Sequence, residues 1–476
     1  MQDLRLFDAN CTVGRHLKLQ AGGPHTSQDL LAEMDHFGIA EALVLDSLSR
    51  ENHPADGNAR ILNVVADTAR LHAAWAALPI GALDEQPEPR QLVAMMRQHK
   101  VGAVFLFPKQ YRFELSDWCI DALLEPLAEA HVPVFVNYNE VGRGGWQWDE
   151  TDWRAVVDLC RRWPRLPVVV TECRIRRANR LIYRALDACE NLHIELSGYW
   201  LHRGIEYISR NWGSRRLIFG SNWPSFGHGQ TLGMLTCAEI DDSDKRAIAG
   251  GNLRSLLSWC SPEHPQVQHS QPTDEFVQFG RTGIPVPSFE IWDCHGHFGP
   301  FACHYHLPDS SLEATVHELD RLGVKKVLLF SFAGVFSDET FGNDRVAEAV
   351  RRYPDRFVGL ALLNPHRGRD EMLRELERCQ RLGLRGIKLI PYYQGHPEDG
   401  TLIEMACRWA HDRQQIILNH NWGPTEFAER LAATYTRACL IDGHTHAEHF
   451  EIAQRYKNFF VCSCPLLAPR HCERIV

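Results

Sequence analysis

Two stretches decide the fold: Glu33–Leu45, EMDHFGIAEALVL, and Glu318–Phe330, ELDRLGVKKVLLF. Each reads as the end of an amphipathic helix, a glycine stop and an apolar strand. They lie 285 residues apart, and two further pairs share that offset: Asp8 in FDANCTVG with Asp293 in WDCHGHFG, and Gly57-Asn58 with Gly342-Asn343. Three matches at one spacing point to a duplicated domain. Working outward, each copy alternates apolar strands with helices, the pattern of a parallel sheet wound into a (β/α)8 barrel. The first copy offers strands at Leu4–Phe7, Ala42–Leu45, Ala74–Ile80, Ala103–Phe107, Val132–Asn137, Val168–Val170, His193–Leu196 and Leu217–Phe219. One of its helices is expected over Thr26–Phe37, with a Thr26–Asp29 capping box and Gly38 as stop. An open doubly wound sheet would need a glycine-rich phosphate loop after its first strand, and the sequence has none.

The second copy offers seven strands: Glu290–Trp292, Val327–Phe330, Val358–Leu363, Gly386–Ile390, Ile416–Asn419, Leu440–Asp442 and Phe459–Cys462. The closing RHCERIV reads as the opening of a helix that would lead into an eighth strand. The expectation is therefore two tandem TIM-type barrels, residues 1–260 and 288–476, the second incomplete before strand eight. Ser261–Pro287, rich in proline and polar residues, is expected to be a linker.

A net charge of −9 argues against nucleic acid, and no basic run suggests a membrane surface. No segment is apolar enough to span a bilayer, and Met1–Asn10 has no signal-peptide pattern. Fifteen cysteines without a C-x-x-C pair suggest free thiols in a reducing cytoplasm. Cys462-x-Cys464 reads as two small buried thiols rather than a metal seed.

Functional groups of such barrels sit at the C-terminal ends of the strands. In the second copy these ends carry His295 and His297, which project to one side of a strand, then Lys388, His420 and His444. A lone H-x-H means little. Joined by histidines from two later strands, it has the donor types of a zinc-like divalent site with an open position. His446 and His449 read as helix-start residues, and His304 and His306 as loop residues facing solvent or substrate. Lys388 is expected to serve structure or to contact substrate.

The combination WDCHGHFG, GNDRVAEAV, YPDRFVGLA and GIKL resembles the amidohydrolase-related family that includes aminocarboxymuconate-semialdehyde decarboxylase. That resemblance implies His295, His297 and His420 as metal ligands and His444 as the base acting on a metal-activated water. It also implies a fourth ligand, an aspartate ending strand eight, which the second copy does not show. The first copy keeps the corresponding FGSN motif with Asn222 in that place, while Asn10, Thr12, Tyr138 and Glu172 stand where the other site residues would be. The first barrel is thus expected to have kept the fold and lost the metal. The implied activity is hydrolysis of a small carbonyl or carboxylate compound with one divalent ion. Nonoxidative decarboxylation, and a noncatalytic scaffold or metabolite-binding role, remain open alternatives. Pairing of the two barrels and homo-oligomerisation are equally open.

Overall fold

The structure is a computed structural model that describes residues 4–17, 22–79, 81, 85–141, 150–172, 174–257, 259, 274–286, 288–444, 446–464 and 469. The RHCERIV segment lies outside these residues. The chain forms two compact units, one running to Ile284 and taking in His304–Pro308, the other beginning at Pro285.

The first unit is a barrel of eight parallel strands in sequence order: β1 (Leu6–Val13), β2 (Ile39–Asp46), β3 (Leu71–Ala76), β4 (Ala103–Leu106), β5 (Val134–Asn137), β6 (Val168–Thr171), β7 (Leu192–Glu195) and β8 (Leu217–Ile218). It closes where the Ala9 and Thr12 amides donate to the carbonyls of Phe219 and Trp223, at 3.0 and 2.8 Å. Strand alternation builds two cores. Phe7, Ala9, Ala74, Ala103, Phe105, Phe135 and Val169 pack inside the barrel, while Val104, Leu106, Val134 and Val136 pack outward against the helices. Strands buried on both faces read as near-continuous apolar runs for this reason.

The second unit is a parallel sheet in the same order: β9 (Ile291–Phe298), β10 (Val324–Ser331), β11 (Phe357–Leu362), β12 (Gly386–Leu389), β13 (Ile416–Asn419), β14 (Cys439–Asp442) and β15 (Phe459–Val461). Among the described residues this sheet has seven strands, so β9 and β15 are its edges. Both first strands run longer than the sequence suggested, and the residues at 8–12 and 293–297 lie within them. Part of the stretch expected to be a linker is a helix, Glu275–Thr282, whose N-terminus is capped by Asp274. Residues 261–273 and 287 of that stretch lie outside the described residues.

The duplication is visible in detail. Thr26 caps the helix Ser27–Phe37 by accepting from the Asp29 amide, and Ser311 caps Leu312–Leu322 by accepting from Ala314. The helices stop at Gly38 and Gly323, with φ of 76° and 70°, a left-handed turn that glycine adopts without strain. The Gly-Asn pairs are structural. A Cβ on Gly57 would lie 2.2 Å from the Ser49 nitrogen, and one on Gly342 2.7 Å from the Gly334 nitrogen, so each helix rests directly on the loop after the second strand. The asparagines then clamp the third strand. Asn58 Nδ2 donates to the Ala76 carbonyl and its Oδ1 accepts from the Ala76 amide, at 2.8 and 3.0 Å. Asn343 does the same to Leu362, at 3.0 and 2.7 Å.

Candidate metal centre

The five residues singled out in the second copy are brought together at the C-terminal ends of its strands. His295 and His297 come from β9, Lys388 from β12, His420 follows β13 and His444 follows β14. Ring centroids are 6.0 Å apart for His295–His297, 5.1 Å for His295–His444 and 4.1 Å for His420–His444. The histidine rings belong to a closed circuit of aromatic contacts. From His297 it runs to Phe332 (4.1 Å), Phe301 (4.1 Å), Phe336 (5.3 Å), Tyr393 (5.2 Å) and His420 (5.4 Å). His420 and His444 then close it through His295. Sequence reading missed Phe301, Phe332, Phe336 and Tyr393, because they come from three separate loops.

Lys388 is 1% exposed, its Nζ lies 5.1 Å from the Phe330 ring centroid, and that nitrogen has no hydrogen-bond partner among the described residues. Burial pushes the ammonium down to about 7. Burial likewise holds His295 well below the usual imidazole range, helped by Lys388 and the neighbouring histidines, and pushes His420 down to about 2. These rings are neutral at physiological pH, as a metal ligand must be. The donor types are those of a divalent site held by imidazole nitrogens, but among the described residues the nitrogens of His295, His297 and His420 do not all lie within 4.8 Å of one another, so the rings stand near one another without forming a closed ligand set.

His446 and His449 do not join these rings. Their Nδ1 atoms lie 2.9 and 3.1 Å from the carboxylate of buried Asp442, and His449 Nε2 lies 3.0 Å from the Gly423 carbonyl. This knot anchors the loop that carries His444. The three side chains are close enough to hold an ion, but they already satisfy one another.

The first unit fills the corresponding positions differently. Strand register places Phe105 where Lys388 stands, since Ala76 pairs with Phe105 and Leu362 with Lys388. Phe105 stacks on Phe135 at 4.6 Å in the middle of the barrel. Register also corrects the match to His420, which is Asn137 and not Tyr138: Leu106 pairs with Val136, and Leu389 with Asn419, one residue before each. Asn137 Nδ2 donates to Thr171 Oγ1 at 2.6 Å. Asn10 Nδ2 donates to buried Glu195 at 3.1 Å, and Glu172 accepts from the Thr151 amide at 2.9 Å. Asp8 lies 3.2 Å from His228, both fully buried, and with Cys11 they form a second compact group of ligand-type atoms.

Comparison with known proteins bears directly on these two units. The amidohydrolase family profile matches residues 21–258 and 292–437, parts of both barrels and most of the chain. The chain belongs to the amidohydrolase family. Among solved structures it is similar to 5-carboxyvanillate decarboxylase from Sphingomonas paucimobilis, with 14% identity, a TM-score of 0.42, and coverage of 53% of this chain and 99% of that one. It is also similar to a probable 2-pyrone-4,6-dicarboxylic acid hydrolase from Acinetobacter baumannii (13%, 0.40, 53% and 98%). A third is 2,6-dihydroxybenzoate decarboxylase from Rhizobium (15%, 0.39, 53% and 98%). No curated protein matches the chain.

Proposed function

We propose that the second barrel is a metal-dependent hydrolase acting on a small carbonyl or carboxylate compound. The observation that carries this is the circuit of histidine and aromatic rings at the strand ends, with His295 and His420 neutral and buried Lys388 beside them. His295, His297 and His420 would hold one divalent ion, most simply zinc, and His444 would move the proton. A divalent ion held there supplies Lewis-acid polarisation of an oxygen atom. Lys388, an unpaired amine in an apolar setting, offers a substrate carboxylate or enolate oxygen a charge-assisted hydrogen bond where water does not compete. The aromatic circuit suits a flat, apolar-bodied substrate. Nonoxidative decarboxylation would use the same groups and is the second reading. It is favoured by Lys388, which can stabilise the charge left when a carboxylate departs.

The first barrel, filled at its centre by Phe105 and Phe135, is proposed as a scaffold without a metal. No described helix is long and apolar enough to cross a membrane. The described cysteines are free thiols, which suits a reducing cytoplasm. A small-molecule substrate is the proposed partner, with pairing of the barrels or of whole chains left to measurement.

Metal analysis of the purified full chain tests the reading. About one divalent ion per chain is expected, lost in the His295→Ala and His420→Ala variants. Protein that stays metal-free after incubation with zinc would refute it.

A further inference from the structure

Cys462 directly follows the seventh strand of the second unit. It is buried as the sequence reading expects, whereas Cys464 is exposed, and the proposed function gives it no task. Two donors and one imidazole nitrogen converge on its sulfur. The Cys464 amide lies at 3.4 Å, the Cys294 thiol at 3.6 Å and His295 Nδ1 at 3.8 Å. A thiol both accepts and donates, so these contacts alone leave two arrangements, Nδ1–H facing the sulfur or the Cys462 S–H facing a bare Nδ1, and the equivalent contact of the first unit favours the former.

The first unit supplies an independent control on this geometry. Val168 pairs with Leu192, and Leu440 with Phe459, so Glu195 and Cys462 occupy the same position on their strands. Asn10 and His295 are equivalent through the 285-residue offset. Glu195 accepts from Asn10 Nδ2 at 3.1 Å and from the Ser197 amide at 2.6 Å. Cys462 meets His295 and the Cys464 amide in the same arrangement. In the first unit this contact forms with β8 in place, so it belongs to the barrel architecture and not to an open sheet edge.

We propose that Cys462 is a positioning residue that fixes the tautomer of His295. By holding Nδ1–H it leaves the Nε2 lone pair as the ring's donor, as the outer partners of metal-bound histidines do. The thiol does this where the equivalent position of the first barrel uses a carboxylate. The inference rests on the proposed metal site for its purpose, but not for its test.

The test has two arms. In metal-free, 15N-histidine-labelled full chain, with the resonance assigned by its loss in His295→Gln, His295 should be the Nδ1–H tautomer. In Cys462→Ala it should revert toward the Nε2–H form that dominates in free imidazole. A wild-type His295 in the Nε2–H form, or nitrogen shifts unmoved by the substitution, overturns the proposal. The wild-type spectrum decides the matter even if the variant fails to fold. In the second arm cobalt(II) alone is titrated into both proteins. Binding about tenfold weaker in Cys462→Ala is expected, and equal binding overturns the positioning role. A sulfur-to-cobalt charge-transfer band in the wild type would also overturn it, by placing the sulfur on the ion itself. A wild type that takes up no cobalt but shows the expected tautomer would refute the proposed function and leave the Cys462–His295 contact standing.

Discussion

Glu195 offers the sharpest quantitative check on the interior of the first barrel. Its carboxyl is fully buried, and burial raises its pKa from 4.5 to about 7 despite donors from Ser197 and Asn10. The folded protein therefore holds this proton more tightly than the unfolded chain does. Between 4.5 and about 7 the native state binds more protons, so the stability contribution is fully present below 4.5 and is lost as pH rises through about 7. At about 1.4 kcal/mol per pH unit the displacement amounts to about 3 kcal/mol. Glu195→Gln imitates the protonated form in shape and in carrying a donor, provided that the Ser197 hydroxyl reverses its bond and the Asn10 amide turns its oxygen toward the new N–H. The variant should match the wild type near pH 4.5 and exceed it by about 3 kcal/mol above about pH 8. Urea unfolding of the full chain at several pH values, read by pulse proteolysis on peptides of the first unit, measures the difference. Taking variant minus wild type cancels the other titrating groups. A difference that does not change with pH, or a variant less stable throughout, would refute the reasoning.

Other substitutions probe the frame and the site. Asn343→Ala strands the buried amide and carbonyl of Leu362, while the Glu375 oxygen it also meets keeps Arg378 as donor, and should cost about 3 kcal/mol in a denaturant melt. Gly57→Ala drives a methyl to 2.2 Å from the Ser49 nitrogen, a backbone atom that cannot step aside. A loss of about 3 kcal/mol is expected by the same assay. Lys388→Met replaces a buried, unpaired amine by an apolar chain of similar length. Thermal stability should hold or rise, because the substitution removes a desolvated ammonium without breaking a hydrogen bond among the described residues.

The architecture was legible because it rests on local rules repeated twice. Capped helices, glycine stops and apolar strands declare the barrels, and the offset of 285 residues aligned the first strands, second strands and Gly-Asn clamps. The histidines were legible because they stand at strand ends. What lies farther along was harder, since connections of different length change the offset. Phe105 matches Lys388 and Asn137 matches His420 at an offset of 283, and Glu195 matches Cys462 at 267, which pairing register reveals and sequence spacing does not. Asp442 was overlooked for a different reason. Its partners His446 and His449 are four and seven residues away, and the bend of the loop brings all three together. The aromatic circuit is assembled from loops whose only common property is where the barrel delivers them.

Both first strands slip register at the same place, between Asp8 and Cys11 and between Asp293 and Gly296. A bulge re-aims the side chains that follow it, which makes it a natural device for turning two donors toward a shared ion. Yet the first barrel keeps the bulge with Asn10 inside it and Thr12 just beyond, as His295 and His297 stand in the second, so the bulge is inherited frame and the histidines are what differs. It does not follow that histidines alone would restore a site. In Asn10→His/Thr12→His the rings would meet Asn137 in place of His420 and a stacked Phe105–Phe135 pair in the space that Lys388 leaves polar. Glu195 would exchange Asn10 for an imidazole, forming a neutral or ionic pair in a buried setting instead of an open coordination position. The double variant should therefore bind no cobalt(II) beyond the wild-type amount. Uptake of a second ion per chain would show that the first barrel had lost only its ligands and not the cavity they need.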